Sequence, residues 1–204
     1  LEALSSQYEG LSFVELMNQG DYIDIVIDSV LSNLLSGAAL AKQLPEGTRC
    51  LQTMPNTPAM VNEGVTALCE ENTLTEDELA FVRRMFSAIG RVYTLPARLI
   101  EAESAVAGSG PAYAAMFIEA MADGGVLLGL PRAQAMEMAA QTLIGAAGTA
   151  LTSGKHPGKL QAEVCSPAGT TIAGVRTLEQ RGFRAAAMDA VIAAYERTKE
   201  LAGD

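Results

Sequence analysis

The sequence is short of the residues that most often carry catalysis or hold metals. Its 204 residues include one histidine, His156, no tryptophan and three widely separated cysteines, Cys50, Cys69 and Cys165. No Cys-x-x-Cys pair or Cys/His spacing occurs, so the sequence predicts neither a metal site nor a disulfide framework. Free cysteines are typical of a reducing compartment, which indicates a cytoplasmic protein.

The sequence also lacks a basic excess, a long apolar run and a visible signal segment. The net charge of -10 argues against binding to nucleic acid or to an anionic membrane surface, because both need a basic field. Its longest uncharged run, Met138–Gly154, contains several hydroxyl side chains and is too short for a membrane span. We therefore expect no nucleic-acid partner, no membrane partner and no secretory signal.

Apolar residues make up 49% of the chain, and alanine and glycine are abundant, a mix that favours closely packed helices. The residues up to about 96 show both helix and strand patterns. Weak patterns predict helices at 13–18 and 31–44 and a strand at 22–28; clearer strands follow at 50–54, 64–69 and 91–95. Thr75 and Glu78 form a capping box that opens a helix, and Gly90 ends it.

After residue 96 the strand pattern disappears. Helices are predicted at about 98–107, 111–128, 132–152, 158–164, 170–181 and 184–202, separated by glycine and proline. The predicted fold class is mixed but mostly α. The boundary between the two parts is expected near residues 95–98.

The segment Val164-Cys-Ser-Pro-Ala-Gly-Thr-Thr-Ile172 is a candidate anion site at a helix start. The first amides of a helix have no intrahelical partner, and the dipole is positive there. Gly169 lets a ligand approach the backbone, and the hydroxyls of Thr170 and Thr171 lie at the same end, as a carboxylate or phosphate cradle requires. The alternative is a plain helix cap by Ser166 or Thr170.

Three other segments are open to a functional and a structural interpretation. Met54-Pro-Asn-Thr-Pro58 follows a strand, where α/β sheets often hold ligands, but a rigid turn would look the same. Gly108-Ser-Gly-Pro111 favours close helix packing over ligand binding. His156 lies in a Pro/Gly loop, where an exposed histidine is expected more often than a catalytic one.

Several of these segments together resemble the pyrroline-5-carboxylate reductase family. The similarity covers about residues 46–202. It is carried, in order, by Met54-Pro-Asn-Thr-Pro58, Glu63-Gly-Val-Thr-Ala67, Gly108-Ser-Gly-Pro-Ala-Tyr113, Lys155-His-Pro-Gly-Lys-Leu160, Val164-Cys-Ser-Pro-Ala-Gly-Thr-Thr-Ile-Ala-Gly174, Leu178-Glu179 and Gly182-Phe-Arg184.

The resemblance implies that residues 1–96 form a partial or diverged dinucleotide-binding, Rossmann-like domain and that residues 97–204 form an all-helical domain for dimerisation and substrate binding. It also implies an oxidoreductase that reduces the C=N bond of 1-pyrroline-5-carboxylate to L-proline, the last step of proline biosynthesis. The implied cofactor is NADPH or NADH, and the implied partners are the small-molecule substrate and a second copy in a homodimer or higher oligomer. By resemblance, Thr171 lies by the ring nitrogen as the catalytic group. The other implied contacts are Ser166, Gly169, Thr170 and Thr171 for the substrate, and Pro55, Asn56, Thr57 and Glu163 for the cofactor.

The sequence departs from the family pattern at four places. No G-x-G-x-x-G turn precedes residue 46, and Ser32-Asn-Leu34 stands where the family has a strand that ends in Ala-Ala-Gly. Glu163 stands where Asn or Gln is common, and Ala168 replaces the commoner glycine. The first departure leaves an alternative function open. In that alternative the chain is a non-catalytic homologue that acts as a dimerisation or carboxylate-binding module.

Overall fold

The computed structural model describes residue 45 and residues 47–202. The helices predicted at 13–18 and 31–44 and the strand predicted at 22–28 lie outside the described residues. The described residues divide into two compact units, a sheet unit up to Ile100 together with residues 201–202, and a helical unit of residues 101–200. The predicted assignment of 1–96 and 97–204 to two functional domains stays a prediction.

The described part of the sheet unit contains three strands in the order β1-β2-β3. Strand β1 pairs antiparallel with β2, and β2 pairs parallel with β3 across a helical crossover, the connection typical of α/β proteins. The elements are β1 (Thr53–Pro55), a 3-10 helix (Thr57–Val61), β2 (Gly64–Cys69), α1 (Glu76–Ser87) and β3 (Gly90–Leu95).

The capping box at the start of α1 is confirmed. The Thr75 hydroxyl accepts a hydrogen bond from the Glu78 amide at 3.3 Å, and the Glu78 carboxylate accepts one from the Thr75 amide at 2.9 Å. Gly90 follows the helix with a φ of +154°, and a Cβ there would lie 2.0 Å from the carbonyl oxygen of Gly64. Glycine is therefore required where β3 begins beside β2.

The core of the sheet unit lies under β2. Met54, Ala67, Cys69 and Ile100 form one buried cluster, and Leu68 on the same strand has no exposed surface. Five of the six residues of β2 are buried, which matches a central strand with both faces covered.

The helical unit continues from a helix that crosses the boundary between the two units. Its elements are α2 (Ala97–Glu103), a π-helix (Ser104–Gly108), α3 (Gly110–Leu127), α4 (Arg132–Ser153), α5 (Pro157–Val164), α6 (Thr170–Gln180) and α7 (Phe183–Ala202). The helix predicted at 98–107 is confirmed, but its second half is a π-helix rather than an α-helix. There the Ser109 amide donates to the Ser104 carbonyl at 2.9 Å, which widens the last turn into a π-helix.

Small side chains allow α3 and α4 to pack closely. Ala122, Ala135 and Ala139 are the buried residues of this contact, with Ile118 and Val126 packed against them. A Cβ at Gly125 would lie 3.3 Å from the Cβ of Ala135, so glycine also serves the close approach. Within the described ranges, no helix is both long and apolar enough to cross a membrane.

Candidate functional site

The loop between α5 and α6 forms a tight turn, residues 166–169. The Gly169 amide donates to the Ser166 carbonyl at 3.0 Å, Pro167 occupies the second position and Ala168 the third with a φ of +56°. This combination is typical of a type II β-turn. Since a left-handed residue with a Cβ costs about 1–2 kcal/mol, the alanine at 168 is strained where glycine would not be.

Gly169 is needed for space rather than for its backbone angles. Its φ of -77° and ψ of 171° are ordinary extended values. A Cβ at this position would lie 2.2 Å from the Ser166 hydroxyl oxygen and 3.0 Å from the Ser166 carbonyl oxygen. The serine and the glycine therefore form one compact unit, and a side chain at 169 would displace the turn.

The start of α6 has no side-chain cap. Gly169 is the N-cap residue, and no side chain accepts a hydrogen bond at this position. The alternative interpretation, in which Ser166 or Thr170 caps the helix, is therefore wrong. Because the first amides of a helix lack intrahelical acceptors, those of α6 point toward the turn with the positive end of the dipole behind them. Thr170 and Thr171 are exposed at the same end. This arrangement can bind a carboxylate.

Helix α5, which leads into the turn, is tied together along its whole length. The Lys155 ammonium lies 2.9 and 2.8 Å from the two carboxylate oxygens of Glu163, so the residue before the helix pairs with one in its last turn. His156 caps the start, where its Nδ1 accepts from the Gly158 amide at 3.1 Å. The structure thus gives His156 a capping role.

The predicted cofactor residues Pro55, Asn56 and Thr57 belong to the sheet unit. Asn56 is buried. Its backbone amide donates to the Val65 carbonyl at 3.1 Å, and its side-chain oxygen Oδ1 accepts from the Val65 backbone amide at 2.8 Å. Asn56 thus joins the chain after β1 to β2. Pro55 ends β1 and Thr57, which is exposed, begins the 3-10 helix.

The structure brings the four predicted substrate residues together at one turn, with Glu163 at the end of the preceding helix. It places the other three cofactor residues at the end of β1. Among the described residues, no group of three His, Cys, Asp or Glu side chains could hold a metal ion.

Sequence reasoning missed Glu103, the last residue of α2. Both of its carboxylate oxygens are buried, and no described residue hydrogen-bonds to them. Burial raises its pKa from 4.5 to about 7. The only sequence signal was an acidic residue inside the apolar and small-residue stretch that ends at Gly108.

The described fold is thus a parallel β-α-β unit followed by helices, with a turn at 166–169 that leads into a helix without a side-chain cap. A family model described as pyrroline-5-carboxylate reductase dimerisation matches residues 97–201. The chain is 44% identical over 191 residues to the pyrroline-5-carboxylate reductase of Synechocystis, covering 86% of this chain and 71% of that protein. It is 42% identical over 177 residues to the Escherichia coli enzyme, covering 85% of this chain and 66% of the relative.

Solved structures of pyrroline-5-carboxylate reductases are also similar to this chain. A pyrroline-5-carboxylate reductase from Coxiella burnetii matches with a TM-score of 0.75 and 34% identity, over 81% of this chain and 62% of that one. The Plasmodium falciparum pyrroline carboxylate reductase with NADP bound matches with a TM-score of 0.70 and 31% identity, over 74% of this chain and 62% of that one. The chain belongs to the pyrroline-5-carboxylate reductase family. The predicted fold class, mostly helical with a small α/β part, is confirmed. The chain spans less than two thirds of both solved structures.

Proposed function

We propose that this chain is a pyrroline-5-carboxylate reductase, which reduces the C=N bond of 1-pyrroline-5-carboxylate to L-proline with hydride from NADPH or NADH. It acts in the cytoplasm as a homodimer or higher oligomer. The observation that carries the proposal is the uncapped start of α6 behind the turn 166–169, in a chain whose relatives have this activity. The substrate is a five-membered ring with a carboxylate, and such a turn holds a carboxylate.

The residues of the turn bind and orient the substrate. The backbone amides at Gly169, Thr170 and Thr171 donate to the carboxylate, and the dipole of α6 favours its charge. Ser166 shapes the turn against Gly169, as the 3.0 Å contact of its carbonyl with the Gly169 amide supports. The exposed Thr171 hydroxyl lies by the ring nitrogen and hydrogen-bonds to it. Positioning of this kind supplies most of the catalysis, because the reaction needs no nucleophile from the protein.

The residues proposed for the nicotinamide cofactor fit it chemically. A carboxylate accepts hydrogen bonds from a carboxamide nitrogen, so Glu163 can hold the nicotinamide amide while Lys155 balances its charge. Pro55, Asn56 and Thr57 contribute a rigid turn, since both the backbone and the side chain of Asn56 are fixed by Val65. When bound, the cofactor supplies the hydride that reduces the C=N carbon, and the ring nitrogen gains a proton.

The proposal is tested with the full chain and a pair of matched variants. Gly169→Val places two methyl groups where a Cβ alone would lie 2.2 Å from the Ser166 hydroxyl. Gly174→Val is the control, because a Cβ at Gly174 on the same helix meets nothing within 4 Å. We expect L-proline to bind the parent and Gly174→Val in calorimetric titration, whereas Gly169→Val binds at least about ten-fold more weakly.

A milder variant distinguishes the contribution of the backbone amides from that of the Thr171 hydroxyl. Thr171→Ala leaves the amides in place and removes one hydrogen bond, so its affinity for proline should fall by about 0.5–1.5 kcal/mol. Oxidation of NADPH in the presence of pyrroline-5-carboxylate, followed by absorbance, distinguishes a reductase from the non-catalytic alternative. Equal binding of proline by the parent and Gly169→Val would contradict the proposed cradle. Proline binding without NADPH oxidation would favour the non-catalytic module.

A further inference from the structure

We propose that Arg184 is a positioning residue for the carboxylate turn, because its guanidinium ties together the two helices that enter and leave that turn. The inference rests on the proposed function, which places the substrate carboxylate at residues 166–171. Arg184 lies outside the turn and acts through Gln161 on α5 and Glu179 on α6.

The residues before Arg184 fix where its side chain starts. Gly182 has a φ of +74°, a left-handed conformation that turns the chain sharply between α6 and α7. Phe183 then packs on Phe117 of α3, with ring centroids 5.3 Å apart. The Tyr113 hydroxyl donates to the Ala190 carbonyl at 3.1 Å, a second contact that holds α7 on α3. Arg184 therefore starts from an anchored helix end.

The guanidinium makes two contacts at once. Its Nε donates to Glu179 Oε1 at 2.5 Å, and its Nη2 donates to Gln161 Oε1 at 3.1 Å. Glu179 lies in the last turn of α6 and Gln161 lies in α5, four residues before Cys165. Because α5 ends just before the turn and α6 begins just after it, this bridge sets the distance between the two helices that carry the turn.

The bridge can act on the turn because the residues at the two ends of α5 are bonded to each other. The Lys155–Glu163 pair and the His156 cap tie both ends of this eight-residue helix to each other. The turn itself is compact, with the Gly169 amide bonded to the Ser166 carbonyl. A shift of α5 at Gln161 is therefore passed on to Ser166 and to the amides that face the carboxylate.

The contacts of Arg184 are exposed, with side-chain accessibilities of 63% for Arg184 and 47% for Glu179. Exposed pairs contribute little to folding stability. Carboxylate binding is more demanding, because amide donors displaced by an ångström lose much of their effect. Arg184 should therefore matter more for ligand affinity than for stability.

The same helix offers a matched control. Arg197 pairs with Glu200 at 2.7 Å with accessibilities of 65% and 64%, so it is the same kind of exposed ion pair on α7, without a bridge to α5 or α6. The test compares Arg184→Gln, Arg184→Lys and Arg197→Gln in the full chain by calorimetric titration with L-proline and by thermal melting. Prolinamide, which lacks the carboxylate, is the ligand control.

We expect Arg184→Gln to bind L-proline about ten-fold more weakly than the parent, with a melting temperature close to that of Arg197→Gln. Arg184→Lys should recover part of the loss, because an ammonium keeps the charge but cannot span both partners as a planar fork does. Arg197→Gln should bind proline like the parent. Parental affinity in Arg184→Gln, or equal weakening in Arg197→Gln, would overturn the proposal.

Amide hydrogen exchange of the peptide covering residues 165–171 gives a readout that needs no ligand. Exchange there should be faster in Arg184→Gln than in the parent and unchanged in Arg197→Gln. If the parent failed to bind proline, the proposed function would fall, whereas faster exchange confined to Arg184→Gln would still support the positioning role. Unchanged exchange in Arg184→Gln would refute it.

Discussion

The two units bury their apolar residues to very different degrees. In the sheet unit, Leu68, Ala67 and Ile100 have almost no exposed surface. In the described part of the helical unit, the fully buried apolar residues are four alanines, Ala105, Ala122, Ala135 and Ala139. Its large apolar side chains are instead widely exposed, among them Met116, Met121, Leu127, Leu128, Met138, Ile144, Leu151, Val164, Ile172, Phe183, Met188 and Ile192.

The difference shows where each unit obtains its stability. In the sheet unit, β2 is covered on both faces within one chain. A set of helices that exposes this many large apolar side chains carries only part of a core, and extensive exposed apolar surface is typical of an interface. A second copy, as in the proposed homodimer, would bury it against the same surface of its partner.

The largest expected effect comes from placing charge on the apolar surface of the helical unit. Ile144 and Leu151 are two turns apart on α4, and both are exposed. Introducing Ile144→Lys together with Leu151→Lys should convert the dimer to a monomer, because buried unpaired ammonium groups are costly. Light scattering at micromolar concentration measures the mass, and the melting temperature of the variant should fall with the loss of the dimer.

Val61→Lys is the control for this experiment. Val61 is an exposed apolar residue of the sheet unit, 70% accessible, and its replacement should leave the mass unchanged. A double variant that remained dimeric would show that this face of α4 lies outside the interface. A parent that is monomeric at the same concentration would contradict the comparison between the units altogether.

The next largest effect is expected in the core of the sheet unit. Leu68 has no exposed surface, so Leu68→Ala removes buried methyl groups and leaves a cavity that neighbouring strands cannot fill. The cost should be about 2–5 kcal/mol of unfolding free energy. Met60→Ala, at a side chain 48% exposed in the same unit, should cost less than about 1 kcal/mol. Urea denaturation compares the two, and equal midpoints would contradict the assignment of the core.

Much of the fold could be predicted from local sequence signals. The strand at Gly64–Cys69 and the capping box of Thr75 and Glu78 appear as predicted, and the helices after Gly108 lie within one residue of their predicted bounds. These features depend on apolar periodicity, capping and glycine or proline breaks, which act over a few residues.

Other features depend on contacts that the sequence does not display. The change from α-helix to π-helix at Ser104 has no marker in the sequence pattern, and the 3-10 helix at Thr57–Val61 begins within the segment 54–58 that could have been a plain turn. At the site, the pattern Ser-Pro-Ala-Gly-Thr-Thr predicted the turn but could not decide between a helix cap and an anion cradle. The structure shows no side-chain cap at Gly169, so the first amides of α6 are available to the proposed cradle.

The two units also differ in how they hold an acidic group. In the sheet unit, the Glu71 carboxylate accepts hydrogen bonds from the Ala97 amide at 2.7 Å and the Cys69 thiol at 3.2 Å, which lower its pKa. In the helical unit, both oxygens of Glu103 are buried without a partner among the described residues, and burial raises its pKa to about 7. The contribution of Glu71 to stability is therefore lost on acidification, whereas that of Glu103 is lost as the pH rises.

The smallest of the expected effects follows from Glu103. Between about pH 4.5 and 7 the folded chain holds a proton on Glu103 that the unfolded chain releases, so stability falls across this window as the pH rises. Glu103→Gln keeps the neutral shape at every pH. It should match the parent near pH 4 and exceed its unfolding free energy by about 1–2 kcal/mol at pH 8, less than the full shift would give because the side chain is only partly buried.

Urea denaturation of the parent and Glu103→Gln at a series of pH values measures this difference. Glu119→Gln is the control, because Glu119 is an exposed acid of α3 in the same unit and its removal should leave the pH dependence as in the parent. The stability gap of Glu103→Gln should open between pH 5 and 8 and then stay constant, since deprotonation is complete above the folded pKa. No gap at pH 8 would show that Glu103 is solvated or paired in solution. A gap that is already present at pH 4, or one shared by Glu119→Gln, would show a cause other than the ionisation of Glu103.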